Sequence, residues 1–195
     1  MKKDIILIVC TLLLLSCGKS REVEKPKDEV LDKGFITFFG QYYAEEGVKK
    51  NVFEIDVYSP DIVIDENMRV SGHGTNVYIS DLFVDTLATC LPAGEYHSSA
   101  DAEDSAFLRG IEQEGHYSGA YVLTLEQSGS YHVALVDTGT VSVSYVGDTT
   151  VIDFNLVLSG RPKSTYKGQY KGKIPYLDGR KVGRHIKGVS HLSKT

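Results

Sequence analysis

Residues 121–158 read YVLTLEQSGSYHVALVDTGTVSVSYVGDTTVIDFNLVL. Apolar and polar residues alternate along most of this stretch, which is the pattern of strands with one buried face. The alternation stops at Ser128-Gly129 and again at Gly147-Asp148, and glycine-containing pairs are typical of the tight turns that join antiparallel strands. The stretch therefore predicts two consecutive β-hairpins.

The rest of the chain has the same texture. It contains 12 tyrosines and 19 glycines, as expected for short strands joined by turns. Further alternating runs occur at residues 35–43, 52–58, 62–64, 76–84 and 166–174. Within the run at 52–58, Phe53 and Ile55 would face one side of a sheet, and Glu54 and Asp56 would face the other.

These runs predict a single all-β domain over residues 34–175. We expect an antiparallel β-sandwich of about nine or ten short strands, because short strands at near-regular spacing are typical of that architecture. A lipocalin-like up-and-down barrel is the alternative, since consecutive hairpins would produce much the same pattern.

The N-terminus has the order of a secretory signal. Basic Lys2 and Lys3 precede an apolar run over residues 5–15, which is shorter than the roughly 20 residues that a membrane-spanning helix needs. The run ends in Leu-Leu-Ser-Cys at residues 14–17, which resembles the lipobox of bacterial lipoproteins. The resemblance implies removal of residues 1–16 and acylation of Cys17. A secreted protein in which Cys17 is incidental is the alternative.

Residues 17–33 follow the motif with mixed charges, Pro26 and no apolar period, so we expect an acylated cysteine on a flexible tether. Gly18, where some lipoproteins carry an aspartate that retains them at the inner membrane, implies the outer membrane by the same resemblance. Of the three cysteines, Cys10 lies in the signal and Cys17 would carry lipid. Only Cys90 remains, so the mature fold cannot contain an intramolecular disulfide, and we expect Cys90 to be a small buried residue.

Three further segments carry a second resemblance: LPAGEY at residues 91–96, GTVSVSYVGDTTVIDFNL at 139–156 and GQYKGKI at 168–174. Their order is similar to that in small β-rich lipoproteins of Bacteroidales type, over roughly residues 72–174. The resemblance implies a surface β-sandwich and transfers no catalytic residue. It also implies O-glycosylation at Asp-Ser or Asp-Thr followed by an apolar residue or threonine, which predicts modification of Ser105, Thr86 and Thr149.

Charge is distributed unevenly along the chain. Residues 18–160 contain 9 Lys and Arg against 24 Asp and Glu, whereas residues 161–195 contain 10 basic residues and one acidic residue, Asp178. We expect residues 176–195 to form a basic, partly disordered tail that folds against the acidic body. Alternatively, the C-terminal cations contact anionic lipid or phosphate at the membrane surface. The residues concerned would be Lys171, Lys173, Arg180, Lys181, Arg184 and Lys187.

Nucleic acid is not an expected partner, because the acidic body would repel a phosphate backbone. The six histidines show no zinc-site spacing, and the chain lacks nucleotide-binding and hydrolase motifs, so neither a metal nor a cofactor is expected. These features favour a non-catalytic lipoprotein that acts in binding, adhesion or envelope assembly, with a glycan or an envelope protein as its ligand. A barrel that carries a small apolar ligand and a glycan hydrolase using two carboxylates are the alternatives.

Overall fold

The computed structural model describes residues 29–65 and 69–181, and nearly all of its regular structure is β. The all-β prediction is confirmed. The strands are β1 (Glu29–Leu31), β2 (Lys33–Gly40), β3 (Asn51–Tyr58), β4 (Ile62–Ile64), β5 (Val70–Gly72), β6 (Gly74–Val84), β7 (Gly94–Ser99), β8 (Ala106–Leu108), β9 (Ile111–Gln113), β10 (His116–Ser118), β11 (Ala120–Leu125), β12 (Tyr131–Val146), β13 (Thr149–Leu158), β14 (Ser164–Gly172) and β15 (Tyr176–Asp178), followed by a 3-10 turn over Gly179–Lys181.

Eleven strands form one sheet, and part of it closes into a five-stranded barrel. Strand β6 pairs with β11 and with β8, and β12 pairs with β11 and with β7. A parallel pairing of β7 with β8 completes the ring. The closed sheet corresponds to the barrel alternative, but it is not an up-and-down barrel, because β7–β8, β1–β14 and β2–β15 are parallel pairs.

The two flanks of the ring are joined by the chain segment Glu29–Gly40. Its first part, β1, pairs with β14, and its second part, β2, pairs with β3. Only Asp32 separates the two strands, and its N–H donates to the carbonyl of Tyr58 at 3.3 Å. One extended segment thus pairs with both flanks, so the sheet surrounds a single interior.

That interior is filled with apolar side chains from almost every strand of the sheet. The largest of the fully buried side chains there are Tyr170, Phe53 and Phe107. Each aliphatic or aromatic side chain of this kind contributes roughly 1.5–3 kcal/mol when it is removed from water. The inward-facing residues follow the period-two pattern of the sequence, including Ile55 and Val57 on β3.

A second, smaller apolar cluster lies on the outer face of the same sheet. The hairpin β4–β5 pairs only within itself among the described residues, and its Ile62 packs against Tyr78, Tyr121 and Leu123 from β6 and β11. Tyr78 and Tyr121 are stacked, with ring centroids 4.9 Å apart. Part of the barrel wall is therefore buried on both faces.

Several boundaries differ from those expected. Strand β12 runs for 16 residues where two shorter strands were expected, and the register shift between Val136 and Thr138 lets it continue as one strand. The sheet begins with β1 inside the predicted tether and ends with β15 inside the predicted tail. Among the described residues, no helix is long and apolar enough to cross a membrane.

Candidate functional site

The strand registers gather several loops and turns at one end of the barrel, which we call the lower end. Strand β12 ends there beside the start of β13, and β6 ends there beside the start of β3. The start of β8 and the end of β14 lie at the same end. The connecting segments at the lower end are residues 41–50, 85–93, 100–105, 147–148 and 173–175.

All three predicted glycosylation residues lie at the lower end. Ser105 is exposed, has a positive φ of 54°, and donates its N–H to the carbonyl of Phe83 at 3.1 Å. Thr86 is exposed in the segment after β6, and its carbonyl accepts a hydrogen bond from the side chain of Asn51 at 3.0 Å. Thr149 is half-buried as the first residue of β13. Ser105 and Thr86 are therefore the more accessible acceptors.

The predicted basic residues are divided between described and undescribed parts of the chain. Lys171 and Lys173 are exposed at the lower end, and Lys173 forms an ion pair with Asp148 at 2.9 Å. Arg180 donates from Nε and Nη2 to the two carboxylate oxygens of Asp178, and its guanidinium carbon lies 5.1 Å from the ring centroid of Phe38. The side chain of Lys181, together with Arg184, Lys187 and Cys17, lies outside the described residues.

Three tyrosines surround the segment Cys90–Pro92 at the mouth of the lower end. The hydroxyl of Tyr145 donates to the carbonyl of Leu91 at 2.6 Å, and that of Tyr96 donates to the carbonyl of Pro92 at 2.7 Å. The hydroxyls of Tyr145 and Tyr176 are 3.0 Å apart. Because Tyr145 gives its only proton to Leu91, Tyr176 is the donor between the two tyrosines.

Burial raises the pKa of Tyr96 to about 12 and also raises the pKa values of Tyr145 and Tyr176. The three hydroxyls thus stay protonated at neutral pH. Cys90 beside them is exposed, so the expectation that it is a buried residue is wrong. Its neighbour Leu91 fills the buried position of this segment instead.

The outer face of β3 carries a second group of polar side chains. Glu54 and Asp56 are only 4% and 3% exposed. The hydroxyl of Tyr78 donates to Glu54 at 2.5 Å, and the amide of Asn76 donates to Asp56 at 2.6 Å. Buried carboxylates are stable when they accept such hydrogen bonds. Burial raises the pKa of Tyr121 strongly, and the charges of Asp56 and Glu54 add to the effect.

Such carboxylates can hold neighbouring strands in register, but burial keeps them from a glycan substrate in this conformation. Another carboxylate, Asp81, accepts hydrogen bonds from Tyr43 at 2.8 Å and Ser80 at 2.7 Å, and has a positive φ of 52°. No group of three or more His, Cys, Asp or Glu that could hold a metal ion occurs within residues 29–65 and 69–181. These contacts fit a structural role.

Sequence reasoning identified neither the tyrosine group nor the outer-face network. The alternation in β3 indicated correctly that Glu54 and Asp56 face away from the core. It did not indicate which residues bury these two side chains and donate hydrogen bonds to them. Tyr145 and Tyr176 are 31 residues apart, and only the parallel pairing of β15 with β2 brings Tyr176 to the barrel mouth. A single strand pattern contains no signal for such a pairing.

No protein-family model, curated protein or solved structure matches the chain. The resemblance of residues 1–17 to lipoprotein signals and of residues 72–174 to β-rich lipoproteins therefore stays a prediction. What the protein does must be inferred from its own residues and their placement.

Proposed function

We propose that this protein is a lipid-anchored, non-catalytic binding module of the bacterial envelope. The observation that carries the proposal is the Leu-Leu-Ser-Cys motif at residues 14–17, directly after a basic start and an apolar run. The resemblance to the lipobox implies attachment through more than one acyl chain on Cys17. Two chains anchor a protein stably, whereas a single chain binds a membrane only marginally.

The tether gives the barrel reach from its anchor. Strand β1 runs parallel to β14, in the direction of the lower end, where β14 stops. We call the opposite end of the barrel, where β6 and β12 begin, the upper end. Residues 18–28 lie outside the described residues, and a segment of their length spans up to about 40 Å when extended. A tether of this length would let the lower end meet ligands away from the membrane surface.

A non-catalytic role fits the two sites better than the alternatives do. A carrier of an apolar ligand needs an interior cavity, whereas the interior here contains fully buried side chains such as Phe53 and Phe107. A glycan hydrolase needs two accessible carboxylates, a role that Glu54 and Asp56 do not fit because both are buried and hydrogen-bonded. We place the binding surface at the exposed lower end, where the loops and the tyrosine group lie.

Substitution of the anchor residue tests the proposal directly. Wild-type protein produced in its host should enter the detergent phase on Triton X-114 partitioning and carry an acylated N-terminal cysteine by mass spectrometry. Cys17→Ser should be found in the aqueous phase. Detergent-phase partitioning of Cys17→Ser would contradict lipid anchoring through this residue. Protease treatment of intact cells, with lysed cells as the control, distinguishes exposure at the cell surface, where the domain is lost, from a periplasmic location, where it is protected.

O-glycosylation at the lower end is part of the same proposal. Ser105 is the first acceptor to test, because it is exposed in a loop. An intact mass above that of the acylated chain, reduced by one glycan in Ser105→Ala, is the expected result. A mass equal to that of the acylated chain alone would exclude modification at Ser105, Thr86 and Thr149 together.

The described cations favour interaction with the protein's own carboxylates, since Lys173 and Arg180 are already ion-paired. The alternative, contact with an anionic surface, is tested by sedimenting the Cys17→Ser protein with anionic liposomes. Binding that disappears as salt increases, and that weakens in a Lys171→Ala/Lys173→Ala variant, would establish the membrane contact. We expect no binding.

A further inference from the structure

Tyr145 and Tyr176 form an exposed aromatic pair at the lower end. Tyr145 is 41% exposed and Tyr176 is 42% exposed, although the hydroxyl groups of both form hydrogen bonds within the protein. The exposed part of each is therefore largely the carbon surface of the ring. Because Tyr145 is fixed to the carbonyl of Leu91 and Tyr176 is fixed to Tyr145, the rings are held in place before a ligand arrives.

The area of this pair suits a small ligand. A whole tyrosine side chain offers about 200 Å2, so the two exposed parts present together roughly 170 Å2. A stable protein interface needs about 800 Å2 from each partner. The pair is too small to hold a protein by itself, but its area is comparable with the face of one or two sugar rings.

An ion pair lies close in the chain to both tyrosines. Asp148 lies in the turn that follows Tyr145, and Lys173 lies three residues before Tyr176. Their side chains form an ion pair at 2.9 Å. A neutral ligand would leave the Lys173–Asp148 ion pair intact, whereas a charged ligand would compete with Lys173 or Asp148 for its partner. These two side chains form a polar rim beside the tyrosines, and the rim offers a charged donor and a charged acceptor for the hydroxyl groups of a ligand.

We propose that the Tyr145–Tyr176 pair is a stacking platform for the sugar rings of a neutral glycan. This proposal rests on the proposed binding function and adds to it the class of ligand that the lower end would bind. Sugar rings present C–H groups on their faces, which pack on aromatic rings, and hydroxyls at their edges, which reach the ion-paired rim.

Cys90 provides a way to detect occupancy. Cys90 is exposed and precedes Leu91, whose carbonyl accepts the hydroxyl of Tyr145 at 2.6 Å, so this thiol lies close to the platform. A glycan on the platform should cover it. Full-length protein in detergent would be treated with N-ethylmaleimide with and without soluble dextran, α-mannan or xylan. Mass spectrometry of the Cys90 peptide then gives the alkylation rate.

At least one of the three polysaccharides should slow alkylation of Cys90 severalfold and quench tyrosine fluorescence, which is observable because the chain has no tryptophan. Tyr176→Ala should weaken this binding roughly tenfold. Tyr131→Ala is the matched control, since Tyr131 is 40% exposed but lies at the upper end. It should bind as the wild type does.

Failure of all three polysaccharides to protect Cys90 would overturn the platform. Equal losses in Tyr176→Ala and Tyr131→Ala would overturn it as well. Should Tyr176→Ala melt at a lower temperature than the wild type, Tyr176→Phe retains the ring and must retain binding. Because lipid anchoring is measured separately through Cys17, a failure of the platform is distinguishable from a failure of the proposed anchoring.

Discussion

The two faces of strand β3 are both buried but are stabilised in different ways. On the inner face, Phe53 and Ile55 are fully buried among apolar side chains of the barrel interior. On the outer face, Glu54 and Asp56 are almost as deeply buried but accept hydrogen bonds from Tyr78 and Asn76. Burial on both faces normally requires a continuous apolar strand. Here one face depends on apolar packing and the other on hydrogen-bonded pairs.

The largest effect is expected on the inner face. Phe53→Ala should lower the free energy of unfolding by about 3–5 kcal/mol, because it removes a fully buried ring and leaves a cavity. Urea denaturation followed by tyrosine fluorescence measures the change. The matched control is Leu87→Ala, since Leu87 is exposed, and it should alter the free energy by less than about 0.5 kcal/mol. Similar losses in both variants would contradict the assignment of Phe53 to the core.

A smaller effect is expected on the outer face. Tyr78→Phe keeps the ring stacked on Tyr121 but removes the hydroxyl that donates to Glu54. A hydrogen bond to a charged group contributes about 1.5–3 kcal/mol, and its loss leaves the buried carboxylate with one donor fewer. The same urea assay measures it, with the exposed Tyr131→Phe as the control. A loss below 0.5 kcal/mol would mean that this contact does not stabilise the outer face.

The inner face could be predicted from the sequence, because a strand's side chains alternate whatever its neighbours are. The runs at 52–58 and 62–64 match β3 and β4 to within one residue. The predicted turns at Ser128-Gly129 and Gly147-Asp148 do lie between paired strands. They could be predicted because such turns require positive φ values, which glycine adopts easily and which Gly129 and Gly147 have.

The outer face and the lower end could not be predicted in the same way. The partners of Glu54 and Asp56 come from β6, and their identity depends on the register between two strands, which the alternation in either strand does not fix. Strands β7 and β8 form a parallel pair after a connection of only six residues, without a crossover helix, so no hairpin signal marks them. Strand β15 was missed because Tyr176–Asp178 follows Pro175 at the start of a segment rich in basic residues, which was expected to be a tail.

The tyrosines of the lower end should make the protein sensitive to alkaline pH. Tyr96 loses its proton near pH 10.0 when unfolded, but its native pKa is about 12, because burial disfavours the charged form. The native state therefore holds the proton more tightly. The stabilisation is complete below pH 10 and is lost as the pH rises to about 12, with a maximum of about 3 kcal/mol for this group.

Tyr96→Phe should make the free energy of unfolding fall less steeply between pH 10 and 12. It should also cost about 1 kcal/mol at pH 7, since the hydrogen bond to the carbonyl of Pro92 is lost. Urea denaturation at a series of pH values measures both effects, with Tyr131→Phe as the control. An unchanged slope would show that Tyr96 titrates normally and is not part of a buried hydroxyl group at the barrel mouth.

The smallest effect is expected where a polar contact is exposed. Lys173 and Asp148 form an ion pair at 2.9 Å, but their side chains remain 77% and 80% accessible. Water and salt screen such a pair, and ordering two exposed side chains offsets much of the attraction. Lys173→Ala should therefore leave the urea midpoint unchanged within error, in low and in high salt. If Lys173→Ala destabilised the protein as much as Tyr78→Phe does, burial would not explain why the polar contacts of β3 contribute more to stability than those at the surface.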